Sequence, residues 1–221
     1  MRRLYHLPLS PFCRKIRLVL AEKKLEVDLV EETVWERRLE FLKLNPAGKV
    51  PVLEIDNLSL ADSNAIFEYI EEVYPHPMLL PQAPSERAEA RRLTFWFDEK
   101  FHNDVTSKLL YERVNKRFSN SGQPDSGLIK QGLNGLKFHL NYLNWLLERR
   151  RWLAGDEMTI ADFAGAGHFS SLDYIGDIDW SRCEAIKNWY EKIKSRPAFR
   201  SLLKDYLPGV NPPSHYVDLD F

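Results

Sequence analysis

The chain has 221 residues, of which 44% are hydrophobic and 29% are charged, an ordinary balance for a globular protein with a sizeable core. Its 31 basic and 32 acidic residues give a net charge of −1, which argues against binding to nucleic acid or to an anionic membrane. The sequence shows neither a secretory signal nor an apolar run of membrane-spanning length. We therefore expect a cytoplasmic protein whose two cysteines, Cys13 and Cys183, are free thiols.

The first eighty residues predict alternating strands and helices. A strand in "RRLYHL" leads to Ser10, a favoured N-cap residue, and to Pro11, which suits the first turn of a helix. A second strand in "EVDLVEET", a helix ended by an Asn-Pro pair, a two-strand hairpin and a helix in "SNAIFEYIEEVYP" follow. The predicted order is βαβαββα over residues 1–80.

The rest of the chain predicts helices. The proline-rich stretch "PHPMLLPQAPSE" indicates a linker, placed at residues 81–89, before a helical domain over 90–207. That domain contains one long helical run to "VNKRF", a second long helix and a third helix that begins with the capping box of Thr159 and Asp162, which we assign to folding. Residues 208–221, "PGVNPPSHYVDLDF", fit neither period and predict an extended tail.

Four motifs in this order resemble the glutathione transferase family. They are Ser-Pro-aromatic-Cys at the first helix, then "NPAGKVPVL", "ADSNAI" and "TIADF". Each is weak alone, but the ordered set is specific, and the resemblance covers residues 1–207. It implies a thioredoxin-like α/β N-terminal domain, an all-α C-terminal bundle and a homodimer.

The resemblance also implies a site for glutathione. Ser10 would stabilise the thiolate, since a helix N-terminus favours an anion. Val50, before a cis-proline at Pro51, would pair with the glutathione backbone, while Asp62 and Ser63 would hold the γ-glutamyl carboxylate. Each residue has a structural alternative, because Ser10, Asp62 and Ser63 can cap helices and Pro51 can fix a turn.

In this enzymatic interpretation glutathione is a substrate, and we expect neither a cofactor nor a metal. Apolar side chains such as Phe97, Phe101 and Tyr111 would receive an electrophile. Cys13 is expected to be buried and inert, because Ser10 stands where a glutaredoxin-like site has its nucleophilic cysteine. The six histidines show no metal-ligand spacing.

The tail points to a narrower resemblance. "PPSHYVDLDF" is similar to the end of alphaproteobacterial glutathione-transferase-like cell-division proteins, which bind FtsZ, the tubulin-like division GTPase, and are regarded as lacking glutathione chemistry. In this segment Tyr216 and Phe221 alternate roughly with Asp218 and Asp220, a pattern suited to lying in a partner groove. The same segment could instead fold back on its own helical domain.

The resemblances leave two functional hypotheses. In the first, a non-catalytic protein at the division site bundles or curves FtsZ filaments, because a dimer with two fixed sites can hold two filaments. Its partner contacts would be Trp35, beside the glutathione groove, and Tyr216, Asp218, Asp220 and Phe221 in the tail, which could serve a second division protein. Trp35 could instead serve local packing. The second hypothesis is a glutathione S-transferase. We favour the first, since the tail has no catalytic explanation.

Overall fold

The computed structural model describes residues 2–219, and its N-terminal part contains a four-stranded sheet. The strands are β1 (Arg2–His6), β2 (Asp28–Glu31), β3 (Val52–Ile55) and β4 (Leu58–Ala61), in the order β2-β1-β3-β4. Strand β1 runs parallel to β2 and antiparallel to β3, and β4 pairs antiparallel with β3. The helices are α1 (Pro11–Glu22), α2 (Leu39–Leu44) and α3 (Ser63–Val73), so the predicted order βαβαββα is confirmed.

One continuous helical run opens the C-terminal part, as the sequence predicts. It consists of α4 (Pro84–Phe95), a π-helical segment (Trp96–Thr106), α5 (Ser107–Leu110), a second π-helical segment (Tyr111–Asn115) and α6 (Lys116–Phe118). The run begins inside the stretch assigned to the linker, because proline is well tolerated in the first turn of a helix. The later helices are α7 (Ser126–Leu147), α8 (Ile160–Tyr174), α9 (Glu184–Lys194) and α10 (Arg200–Leu203).

Helix α8 lies at the centre of the molecule and is buried along its whole length. The predicted capping box is present, and the Asp162 carboxylate accepts hydrogen bonds from the backbone nitrogen of Thr159 at 2.8 Å and from Trp189 Nε1 at 2.8 Å. Gly167 allows α8 to lie directly against the start of α1, because a Cβ atom there would come 2.4 Å from the carbonyl oxygen of Pro11. This contact fixes the position of the "SPFC" segment.

The basic residues of α1 face the helical domain rather than solvent. Arg14 Nη2 and Arg17 Nη1 both donate to Asp205 Oδ2, at 3.0 and 2.9 Å. Lys15, which is also buried, pairs with Asp98 of the first π-helical segment. Buried charges are rare unless they are paired, so these ion pairs define how the two parts of the chain meet.

The tail folds back on its own chain. The Tyr216 ring is fully buried and packs against Tyr174, and its hydroxyl accepts from Arg14 Nη1 at 3.1 Å and donates to the Leu202 carbonyl at 3.2 Å. A 3₁₀ turn at Ser214–Val217 interrupts the expected extended chain. We call Arg14, Arg17, Asp205 and Tyr216 the tail anchor.

The burial of Tyr216 corrects its assignment to a partner surface, because an enclosed ring cannot contact another protein in this conformation. Asp218 remains on the surface. Asp220 and Phe221, the other two tail residues assigned to a partner, lie outside the described residues. Within residues 2–219 no helix has both the length and the apolar character needed to span a membrane.

Candidate functional site

A cleft of about 1090 Å³ lies between the two parts of the chain. On one side it is bordered by the loop before α1, the turn that carries Trp35, the segment before β3 and the start of α3. On the other side it is bordered by the first π-helical segment and by residues 206–208. Its volume suits a ligand or a peptide segment. Trp35 lines this cleft without filling it, and its ring is half-buried.

Ser10 caps α1 and lines the cleft, as predicted. Its hydroxyl oxygen accepts a hydrogen bond from the backbone nitrogen of Cys13 at 3.4 Å. A hydroxyl that accepts one hydrogen bond can still donate its own hydrogen, so capping and stabilisation of an anion are compatible at this residue. Cys13 is fully buried, and burial raises the pKa of its thiol to about 11, so it is protonated at neutral pH and inert as expected.

The Val50–Pro51 peptide bond is cis, as the family resemblance implied, and both residues line the cleft. The preceding loop is organised by Asn45, which is buried. Its amide nitrogen donates to the Lys49 carbonyl at 2.7 Å, and its amide oxygen accepts from the backbone nitrogen of Ala47 at 3.1 Å. From the sequence Asn45 was identified only as the end of a helix, so its role in holding the Val50 segment was missed.

Asp62 and Ser63 lie together at the start of α3, where Ser63 is buried. The Asp62 carboxylate accepts from the backbone nitrogens of Asn64 at 2.7 Å and Ala65 at 3.3 Å. Asp62 has a φ of 77°, a left-handed conformation that non-glycine residues seldom adopt. The structural alternative named for Asp62 is thus present, and its own carboxylate already occupies two N–H groups of this helix terminus.

The apolar side chains that the helical domain contributes to the cleft are not the ones expected from the sequence. Phe97 and Phe101 are fully buried and do not line the cleft, and neither does Tyr111, so the expectation that they receive an electrophile is wrong. The helical domain contributes apolar lining instead from the end of α4, α5, the second π-helical segment, α6 and the chain after α10; this part includes Phe95, Leu110, Val114, Phe118, Tyr206 and Leu207.

A row of polar side chains along the first π-helical segment was not foreseen. Asp98, His102 and Thr106 follow one another at intervals of four residues and all line the cleft. Asp98 Oδ2 pairs with Lys15, whose Nζ also donates to Asn64 Oδ1 at 3.0 Å. Among the described residues, Asp98 Oδ1 and His102 Nδ1 are buried atoms without a hydrogen-bond partner. Four-residue spacing of single polar residues in a helix is not a recognisable site signal in the sequence. The part of the chain that the structure covers holds no metal-binding cluster.

The predicted partner contacts do not form one surface. Trp35 lies in the cleft, on a 3₁₀ turn of residues Val34–Glu36. Asp218 lines a separate, smaller cavity with Asp179, Trp180 and His215. Any partners of the cleft and of the tail would therefore meet different regions of the molecule.

Two family models match separate parts of the chain, and known relatives match its whole length. The family model described as glutathione S-transferase, N-terminal domain, matches residues 4–78, and the model described as glutathione S-transferase, C-terminal domain, matches residues 133–206. FtsZ-localized protein A of Caulobacter vibrioides is 48% identical over 224 residues, which cover 100% of this chain and 98% of that protein.

Two solved structures are similar to this chain over its whole length. One is a glutathione S-transferase from Rhodospirillum rubrum F11, which is 50% identical with a TM-score of 0.97 and 100% coverage of both chains. The other is FzlA from C. crescentus, which is 48% identical with a TM-score of 0.96, covering 100% of this chain and 99% of that chain. These matches confirm the two-part fold that the sequence predicts.

Proposed function

The chain belongs to the glutathione S-transferase family, and from this premise we propose that it is a non-catalytic cell-division protein that binds FtsZ. The similarity to FtsZ-localized protein A over the full chain, tail included, carries the proposal. In this function the protein acts at the division site and bundles or curves FtsZ filaments.

The geometry of the cleft supports a binding role. The residues at the glutathione positions have structural tasks, since Ser10 caps α1 and Asp62 caps α3. Trp35 presents part of a large aromatic ring at the rim, and such rings often contribute most of the affinity of a protein interface. A partner segment entering the cleft would meet this ring first.

We further propose that the protein acts as a homodimer. Phe138 and Trp145 lie seven residues apart on one face of α7 and are 59% and 51% exposed. Exposed aromatic side chains on helix faces of this kind suit an interface between identical copies. Two copies would present two clefts, and bivalency would raise the affinity for filaments without new contacts.

Sedimentation with FtsZ filaments tests the proposal directly. Purified FtsZ is polymerised with GTP, and the protein is expected to pellet with it and to give bundled or curved filaments by electron microscopy. Trp35→Ala should weaken this binding by roughly tenfold or more, as expected for a large aromatic ring that anchors an interface. Tyr111→Ala, an exposed aromatic residue outside the cleft, is the matched control. Absence of the wild-type protein from the filament pellet would contradict the proposal.

Glutathione conjugation is the second candidate function. The Ser10 hydroxyl can still donate a hydrogen bond into the cleft, and the similar Rhodospirillum rubrum protein is described as a glutathione S-transferase. Calorimetric titration with reduced glutathione to millimolar concentrations tests this candidate. Saturable binding that Ser63→Ala abolishes and the exposed Ser59→Ala leaves intact would favour it. Absence of heat at these concentrations would remove it.

A further inference from the structure

We propose that the cleft binds an extended basic peptide segment, with lysine or arginine side chains against its acidic groups and apolar side chains against its aromatic rings. This inference rests on the proposed function, because it names the chemistry of the partner segment that would enter the cleft. Three features of the described residues carry it: the unpaired charges, the buried Asp98 and the aromatic lining.

The unpaired charges that face the cleft are mainly negative. Glu31 at the rim, Asp62 at the start of α3 and Glu99 on the π-helical wall are exposed and form no ion pair with another described residue. Lys49 is the one lysine or arginine among the described residues that line the cleft. Three carboxylates against one ammonium leave a net charge of −2, and a concave surface concentrates such a field.

Asp98 has one carboxylate oxygen without a hydrogen-bond partner in the described part of the chain. Its side chain is 7% exposed, and only Oδ2 is paired, with Lys15. Oδ1 has no hydrogen-bond partner among residues 2–219, although a carboxylate oxygen removed from water is costly to leave unpaired. His102, four residues later, adds little positive charge, because burial lowers its pKa. A ligand N–H donor would pair with Oδ1 only after the carboxylate rotates, because this oxygen is closed to solvent.

Aromatic side chains line the cleft together with these polar groups. Trp35, Phe95 and Tyr206 belong to its lining, and Tyr206 is 69% exposed. Aromatic faces attract ammonium and guanidinium groups as well as apolar side chains. An extended peptide presents successive side chains on opposite sides, so a basic-apolar alternation would meet both kinds of lining.

Glutathione carries two carboxylates and one ammonium group, so its net charge is negative, whereas that of a basic peptide is positive. The N–H groups of Asn64 and Ala65, which could receive a carboxylate at the start of α3, are occupied by Asp62. The charges of this cleft therefore favour a basic segment over the tripeptide.

Fluorescence anisotropy with synthetic peptides tests the inference. The probe is a fluorescein-labelled octapeptide of alternating lysine and leucine, and its counterpart alternates glutamate and leucine. We expect the full-length protein to bind the lysine peptide at least tenfold more tightly than the glutamate peptide, with affinity falling as salt rises.

Charge reversal then locates the binding. The double variant Glu31→Lys/Glu99→Lys should lose at least tenfold in affinity for the lysine peptide. Glu72→Lys/Glu157→Lys reverses the same number of exposed charges outside the cleft and should stay within about twofold of wild type. Equal binding of the two peptides by wild type, or equal losses in the two double variants, would overturn the inference.

The FtsZ pelleting assay on the same variants separates the two proposals. Loss of filament binding in the cleft double variant alone would support both. Pelleting of that variant at the wild-type level would overturn the inference while leaving FtsZ binding intact. Failure of the wild-type protein to pellet would remove the proposed function, and the peptide titration would still decide what the cleft binds.

Discussion

The cleft and the tail anchor both border α1, but they differ in how far their polar groups are paired within the protein. In the anchor, both oxygens of Asp205 accept from Arg17, and the Tyr216 hydroxyl both accepts and donates, although Arg17 Nε has no partner among the described residues. In the cleft, by contrast, Glu99 and Asp98 Oδ1 have no partner among the described residues. Paired groups hold a fold together, whereas unpaired groups in a concave site are suited to a ligand. Substitutions in the anchor should therefore cost stability, and those in the cleft should cost binding.

The largest expected effect comes from Tyr216→Ala. Removing this fully buried ring leaves a cavity beside Tyr174 and takes a hydrogen-bond partner from Arg14, so the free energy of unfolding should fall by about 3–5 kcal/mol. Urea unfolding followed by circular dichroism measures it. Tyr216→Phe keeps the ring and should cost only about 1–2 kcal/mol. A loss below about 1 kcal/mol for Tyr216→Ala would show that the anchor does not hold the fold.

His6 should make the anchor region sensitive to acid. Burial, with the nearby Arg17 charge, lowers the pKa of His6 to about 4, below its ordinary value of 6.5. The unfolded state therefore binds more protons between these values, and stability should fall as pH drops from about 7 to 4, by up to about 3 kcal/mol. Unfolding curves across this range test it. His6→Gln should remove only the part due to His6, because burial also lowers the pKa values of three other histidines, His102, His139 and His168. Substitution of the exposed His76 should leave the dependence unchanged.

A smaller effect is expected from Ser10→Ala, at the boundary of the two regions. Loss of the cap on α1 should lower the free energy of unfolding by about 1 kcal/mol, because one backbone N–H loses its partner. Thermal unfolding would detect this change. If Ser10 also donates a hydrogen bond to glutathione, Ser10→Ala would weaken glutathione binding. Unchanged glutathione affinity in this variant would show that Ser10 acts only as a helix cap.

The smallest effect on stability is expected in the cleft itself. Glu99→Gln removes an exposed charge without breaking an ion pair, so the free energy of unfolding should stay within about 0.5 kcal/mol of wild type. The same substitution should lower affinity for the lysine peptide. A destabilisation similar to that of Tyr216→Ala would erase the distinction between the two regions.

Local signals in the sequence predicted most of the fold. Caps such as Ser10 and Thr159 act through nearby backbone groups, so their roles could be read from a few residues. The cis bond at Pro51 had to come from the family resemblance, since an isolated X-Pro bond favours trans. Burial of Tyr216 could not be predicted, because alternation within a tail does not say which face meets its own protein.

The cleft lining was harder to predict for a geometric reason. Phe97 and Phe101 lie four residues apart, a spacing that an α-helical pattern places on one face, and that face is the core. The π-helical segments Trp96–Thr106 and Tyr111–Asn115 use i→i+5 hydrogen bonds, so the face that meets the cleft turns relative to a regular α-helix. Leu110, in α5, and Val114, in the second π-helical segment, both line the cleft. The buried partners of Lys15 and Arg17 come from distant parts of the chain, which no local pattern reveals.

The close contact at Gly167 restricts which substitutions this sequence can accept in evolution. Any other residue would place a carbon 2.4 Å from the Pro11 carbonyl, so α1 and α8 would have to separate and the Ser10 turn would move with them. The exposed charges around the cleft face no such restriction. Substitutions at Glu31 or Glu99 could therefore change what the cleft binds. Position 167 should stay glycine, because the packing of α1 on α8 depends on it.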